Sequence, residues 1–124
     1  DPETIRIYAA ADWKHTVFEA VREAGADVGA VMSEVMSDPD LRERGDEVNE
    51  VAQDAVEFAR DYDDEELAAL LAMDEQAAYE SAAPFLAREF DAEVEVYAED
   101  AEDVVDPADR AGNAIPFRPA IYLE

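Results

Sequence analysis

"TIRIYAA", residues 4–10, alternates isoleucines with Arg6 and Tyr8. A period of two residues is typical of a β-strand that buries one face. The same period returns in "AEVEVYAED", residues 92–100, and in the closing "AIYLE", residues 120–124. Because alternate side chains of a strand point to opposite faces, the tyrosines of the three strands can share one face. The aliphatic side chains share the other face, which we expect to pack against helices: Ile5, Ile7, Val94, Val96, Ile121 and Leu123.

The chain between the first two strands is predicted to be mostly helical. Apolar residues at helical spacing extend from Asp12 to Gly25, across residues 28–36 and from Asp46 to Tyr62. A capped turn or short helix is expected at residues 37–45, and two further helical stretches at residues 63–74 and 74–91. Pro84 removes a helical hydrogen bond, so we expect a kink or a restart near Ala83. The fold class is therefore α+β: a small sheet of about three strands, contributed by both ends of the chain, packed against four or five helices. With 124 residues we expect a single domain, residues 1–124.

The charge is strongly one-sided. The chain has 34 acidic and 9 basic side chains, for a net charge of -25, and Lys14 is its only lysine. Such charge often accompanies disorder, but the periodic apolar residues predict a folded protein. In molar salt the Debye length falls to about 3 Å, so repulsion among surface carboxylates is largely screened. The composition is therefore typical of a halophilic protein. We explain the negative charge first by adaptation to a salt-rich solvent and only second by a binding partner.

Several function classes lack their sequence signals. There is no cysteine, and no window approaches the roughly 18 apolar residues of a membrane helix, so we expect a cytoplasmic protein. "DPETIRIYAA" resembles a cut within a longer protein more than a signal peptide. No glycine-rich phosphate loop is present, and a calcium loop starting at Asp40 fails because Arg42 and Arg44 occupy ligand positions. The single histidine, His15, is interpreted as a packing or surface residue, so no catalytic residue and no metal ligand are predicted.

Two stretches lack the excess of acidic side chains found in the rest of the chain. Residues 107–123 contain Arg110 and Arg118 against Asp109, and residues 13–22 contain Lys14 and Arg22 against one glutamate, so each stretch carries a net charge of +1. One explanation is that these stretches are buried or face another part of a longer protein. The other explanation is that one of them faces a polyanion, where carboxylates would repel phosphate.

Three stretches together carry a family resemblance: "IYAAADWKHTVFEAV" (residues 7–21), "AAPFLAREFDAEVEVY" (82–97) and "RAGNAIPFRPAIYLE" (110–124). They resemble the C-terminal domain of leucyl-tRNA synthetases of the archaeal type. In that family this module reaches the long variable arm of leucine tRNA and follows a class I catalytic core with an inserted editing domain. The resemblance implies that the chain is a non-catalytic part of a leucine-tRNA ligase.

The resemblance also implies site residues and partners. Ile121, Tyr122, Leu123 and Glu124 match the terminal motif and are candidates for tRNA contact, whereas Arg110 and Arg118 are added from their charge. The implied partners are leucine tRNA and the catalytic body of the parent synthetase, with no membrane and no DNA. No cofactor is expected in this segment, because ATP and Mg²⁺ would belong to the parent enzyme.

Two other function classes stay open at this point. The first is a stand-alone acidic module that binds a basic protein, in the manner of a nucleic-acid mimic, for which the net charge of -25 is the motivation. The second is an independent enzyme, which would need a pocket around His15.

Overall fold

The sheet joins strands from the two ends of the chain. The computed structural model describes residues 2–124, and its strands are β1 (Thr4–Ala9), β2 (Glu93–Ala98) and β3 (Ala120–Leu123). β1 lies in the centre, with β2 parallel on one side and β3 antiparallel on the other. The three predicted strands are confirmed.

The helices lie between the first two strands of the sequence. They are α1 (Asp12–Ala24), α2 (Val28–Val35), α3 (Pro39–Arg42), α4 (Gly45–Ala59), α5 (Asp64–Leu71) and α6 (Glu75–Phe90), with a 3₁₀ turn at Ala111–Asn113. The α+β class is confirmed, and residues 2–124 contain six α-helices instead of four or five. The additional helix is α3, where the Asp38 side chain caps the first turn and Pro39 occupies an early helical position.

The chain divides into two compact units. The sheet unit contains residues 2–11 and Asp74–Glu124, and the helical unit contains Asp12–Met73. That these residues act as one functional domain stays a prediction.

The helical unit has a core of small and β-branched side chains. α1 packs against α4, α2 and α5, and α2 also packs against α4. Burying a valine removes enough apolar surface from water to contribute about 1.5–3 kcal/mol, which is an upper estimate. α1 ends just before Gly25, whose φ of +88° suits a residue without a Cβ atom. The buried residues of α1, α2 and α4 include Val17, Phe18, Val21, Val31, Val35, Val48, Val51, Ala52, Ala55 and Val56.

One face of the sheet is covered by the segment that follows β2. Tyr8 is fully buried there, and its hydroxyl donates a hydrogen bond of 2.6 Å to the carbonyl of Val105. Tyr97 stacks beside Tyr8 with ring centroids 6.1 Å apart, so these tyrosines share a face as predicted. The small side chains of this segment allow close packing against Tyr8; they are Ala111, Ala114 and, at the start of β3, Ala120.

The aliphatic face is only partly covered. Ile5 pairs in register with Leu123, and Ile7 with Ile121, so the predicted sharing of one face is confirmed. Ile5 and Ile7 are buried, but Ile121 is 49% exposed and Leu123 57% exposed. The expectation that all the aliphatic side chains pack against helices is therefore wrong for β3, because α6 packs against β2 and β1.

α6 continues through its proline. The helix is unbroken from Glu75 to Phe90 with Pro84 inside it, so the helix does not restart near Ala83. Pro84 is exposed, which lets water replace the hydrogen bond that the carbonyl one turn earlier loses.

Candidate nucleic-acid interface

β3 is an edge strand, and the backbone N–H and C=O groups of alternate residues point towards β1. Glu124 exchanges two hydrogen bonds with Thr4, of 2.9 and 3.2 Å. In an antiparallel pair, residues that exchange both hydrogen bonds alternate with residues that exchange none. The N–H and C=O groups of Tyr122 therefore also point to β1, whereas those of Ile121 and Leu123 point to the open edge of the sheet.

The open edge is apolar and accessible. The side chains of Ile121 and Leu123 stand on the uncovered part of the aliphatic face, beside the outward-pointing backbone groups. A strand edge of this kind offers donors and acceptors in a fixed row. It can pair with another strand or hydrogen-bond to the polar edges of a nucleic acid.

Arg110 reaches this strand from the 3₁₀ turn. Its guanidinium lies 5.6 Å from the ring centroid of Tyr122, which is a cation–π distance. Asp106 fixes the turn, because its carboxylate accepts hydrogen bonds from the N–H groups of Arg110 (2.8 Å) and Ala111 (3.0 Å). The predicted residues Arg110 and Tyr122 are thus brought together.

Arg118 lies in the tight turn that leads into β3. Ile115 and Arg118 exchange backbone hydrogen bonds of 3.1 and 2.9 Å around Pro116 and Phe117. Phe117 has a φ of +66°, the left-handed conformation that a type II turn requires at this position. The N–H of Phe117 donates to the carboxylate of Glu75 at the start of α6. This contact fixes the turn, and the side chain of Arg118 is exposed to solvent.

Glu124 is held by a residue that sequence reasoning did not select. Arg6, on the central strand, donates from Nη1 to the Glu124 carboxylate and from Nε to Oε1 of Glu95, 3.0 Å away. These two carboxylates raise the pKa of Arg6. The signal available in the sequence was the alternation of β1, which puts Arg6 on the same face as Tyr8 and Tyr97.

The other charge-poor stretch has a structural explanation. Lys14 is only 5% exposed, and its Nζ lies 5.6 Å from the ring centroid of Trp13. Arg44 approaches the same ring at 5.0 Å, and Arg22 pairs with Asp64 at 3.3 Å. Burial and internal pairing therefore account for the basic residues of residues 13–22, which leaves residues 107–123 as the stretch for which the polyanion explanation stays a hypothesis.

Sequence comparison with known proteins finds relatives that align with almost the whole chain. The chain is 36% identical to the leucine-tRNA ligase of Methanosarcina acetivorans and 32% identical to that of Methanococcoides burtonii, over 99% of its length in both cases. It is 30% identical to the leucine-tRNA ligase of Pyrococcus furiosus over 95% of its length. The chain resembles one segment of the archaeal leucine-tRNA ligases. The resemblance inferred from the sequence is confirmed, although no protein-family model matches the chain.

The segment is a small part of those leucine-tRNA ligases. The chain spans 13% of the length of the Methanosarcina and Methanococcoides relatives and 11% of that of the Pyrococcus relative. Within residues 2–124 no group of three histidine, cysteine or carboxylate side chains is arranged to hold a metal ion. No helix in the described part of the chain has the length and apolar character needed to cross a membrane.

Proposed function

We propose that this chain is the C-terminal module of a leucyl-tRNA synthetase and that it binds the long variable arm of leucine tRNA. In this proposal the catalytic body of the parent enzyme, with its ATP and Mg²⁺, carries out leucylation in the cytoplasm. The module itself contributes a second point of contact with the tRNA. The proposal is supported by the similarity to archaeal leucine-tRNA ligases over almost the whole chain.

The main observation that supports a binding site is the open edge of β3. The backbone groups of Ile121 and Leu123 point away from the sheet, and Arg110 and Arg118 flank the strand. RNA loops and ends present unstacked bases whose polar edges can accept and donate hydrogen bonds. The outward backbone groups supply matching donors and acceptors, and the arginines supply the charge that orients phosphate groups.

The acidic surface limits the affinity of this contact. Counterion release by basic side chains is the main sequence-independent source of RNA affinity, and this site offers few such side chains. Attachment to a body that already holds the tRNA converts the second contact into an intramolecular event. A weak contact is then sufficient, because its effective concentration is high.

Charge reversal provides the first test. In the intact synthetase, Arg110→Glu and Arg118→Glu are each expected to weaken binding of leucine tRNA by about tenfold and to reduce its salt dependence. Arg60→Glu is the matched control, because Arg60 is also exposed but lies in the helical unit at the end of α4. Binding is measured by fluorescence anisotropy across a potassium chloride series.

A tRNA with a shortened variable arm identifies the part of the RNA that is bound. If the module contacts the arm, the shortened tRNA binds more weakly to the wild type, and the arginine substitutions cause little further loss. Equal loss with both tRNAs would show that the arginines act elsewhere. Binding of basic proteins in place of tRNA would favour the acidic interaction module, for which the net charge of -25 remains the supporting observation.

A further inference from the structure

The terminal strand is stabilised by side-chain burial on one face only, where Ala120 and Tyr122 pack in the cluster around Tyr8. β3 contains four residues and pairs with only one neighbour. Ile121 and Leu123 leave about half of their surface in water. Short edge strands with exposed side chains open easily, so other contacts must keep the end of β3 in register.

Arg6 supplies a contact that spans the sheet. It lies on the central strand and bridges Glu95 of β2 and Glu124 at the end of β3. Its side chain is only 12% exposed, and Oε1 of Glu95 also accepts a hydrogen bond of 2.9 Å from the hydroxyl of Tyr97. Charge-assisted hydrogen bonds of a fork-shaped guanidinium are among the stronger polar contacts in proteins. One side chain therefore connects all three strands at the end that carries the candidate interface.

The same contact changes the charge that a ligand meets. Glu124 is the only acid in the closing stretch of residues 115–124, and a free carboxylate there would repel phosphate. The guanidinium of Arg6 neutralises it. Arg6 is itself too buried to bind RNA extensively, so its effect reaches the ligand through β3.

We propose that Arg6 is a positioning residue for RNA binding: it holds Glu124 against the sheet, keeps the edge of β3 in register and offsets the last carboxylate. This inference rests on the proposed function for its RNA ligand, but its structural part is independent of RNA. Arg6 thereby joins the candidate site from the opposite end of the sequence.

Hydrogen exchange tests the structural part without RNA. In the intact protein, Arg6→Gln is expected to speed exchange of the Tyr122 and Glu124 amides, which point to β1, by about tenfold. The amides of Ile121 and Leu123 point outward and serve as internal references that exchange rapidly in both proteins. Arg22→Gln is the matched control, because it breaks an ion pair with Asp64 in the helical unit. Unchanged protection of β3 in Arg6→Gln overturns the proposal.

A double-mutant cycle tests the link to RNA. Arg6→Gln is expected to weaken binding of leucine tRNA by about threefold to tenfold, and adding Glu124→Gln should recover part of that loss by removing the unpaired carboxylate. Arg6→Lys should restore binding partially, since an ammonium lacks the fork that reaches both carboxylates. The role of Arg6 in RNA recognition is overturned if Arg6→Gln leaves binding unchanged. It is also overturned if the effects of Arg6→Gln and Glu124→Gln are additive.

The hydrogen-exchange and binding experiments distinguish failure of this inference from failure of the proposed function. If the wild-type protein fails to bind leucine tRNA, the proposed function falls and the recognition role of Arg6 falls with it. If the wild type binds leucine tRNA and Arg6→Gln binds it equally well, the proposed function stands and the inference about Arg6 is overturned.

Discussion

Glu75 is the side chain whose replacement most directly tests how the turn before β3 is built. It is only 5% exposed, and its carboxylate accepts the N–H of Phe117. Glu75→Ala removes this acceptor and leaves the N–H in a partly buried turn. An unsatisfied buried N–H group costs about 1–3 kcal/mol. Because a buried carboxylate is also removed, whose desolvation was unfavourable, we expect the net loss to lie in the lower half of that range.

A thermal melt measures this loss. For a chain of this size, each kcal/mol lowers the midpoint by about 4 °C, so Glu75→Ala should melt about 4–8 °C below the wild type. Glu75→Gln is the matched variant, because its amide oxygen can still accept from Phe117, and it should lose less than Glu75→Ala. The wild type and both variants are compared by circular dichroism in molar potassium chloride.

The phenol of Tyr79 gives a second measurement at the same position. Burial and the neighbouring charge of Glu75 raise the pKa of Tyr79 above its ordinary value. In Glu75→Gln the charge is absent, so the pKa of Tyr79 should fall, as followed by NMR of the tyrosine ring. An unchanged melting point in Glu75→Ala together with an unchanged pKa of Tyr79 in Glu75→Gln would refute the assigned contacts.

Three further predictions concern stability. Dialysis to low salt should reduce helical circular dichroism, since a net charge of -25 is then poorly screened; full retention of structure would contradict salt adaptation. Burial raises the pKa values of Tyr8, Tyr79 and Tyr97, so above about pH 10 the unfolded chain releases protons that the folded chain keeps. The urea midpoint should therefore fall as the pH rises above 10 and should not depend on these groups below it; a constant midpoint from pH 9 to 11 would disagree. Finally, Asp63→Ala breaks the capping box of α5 and should cost about 1 kcal/mol in urea unfolding, whereas Asp61→Ala, just outside the helix, should cost much less.

The sequence allowed the strands and their faces to be predicted, because a period of two residues ties each side chain to one face. The sharing of one face by Ile5 and Leu123, and of the other face by Tyr8 and Tyr97, follows from that rule and is confirmed. Helix positions followed in the same way from a period near 3.6 residues, with Gly25 and Asp63 near the boundaries. These features depend on local patterns, which is why they can be read from one sequence.

Coverage of the sheet could not be predicted in this way. Whether Ile121 and Leu123 are buried depends on where α6 packs, and α6 lies against β2 and β1. The alternating pattern of β3 is the same for a covered and an open face. The contact of Arg6 with Glu95 and Glu124 likewise depends on strand order, which places residues from three distant parts of the sequence side by side.

Net charge alone did not distinguish a structural stretch from a candidate binding stretch. The two stretches with a net charge of +1 looked equivalent in the sequence, yet Lys14 is buried and Arg22 is paired, whereas Arg118 is exposed. The candidate tRNA residues stay a prediction, and the structure brings Arg110 to Tyr122 and leaves the edge of β3 open.

Deletion of Leu123 and Glu124 from the full-length synthetase tests the central claim most directly. The deletion removes the outward backbone groups of Leu123 and the Glu124 end of the ladder, and it leaves the parent's catalytic body unchanged. Leucylation of tRNA should fall by about tenfold or more, while leucine-dependent ATP–pyrophosphate exchange stays at the wild-type rate. Equal leucylation by the truncated and complete enzymes would contradict recognition of tRNA by the edge of β3.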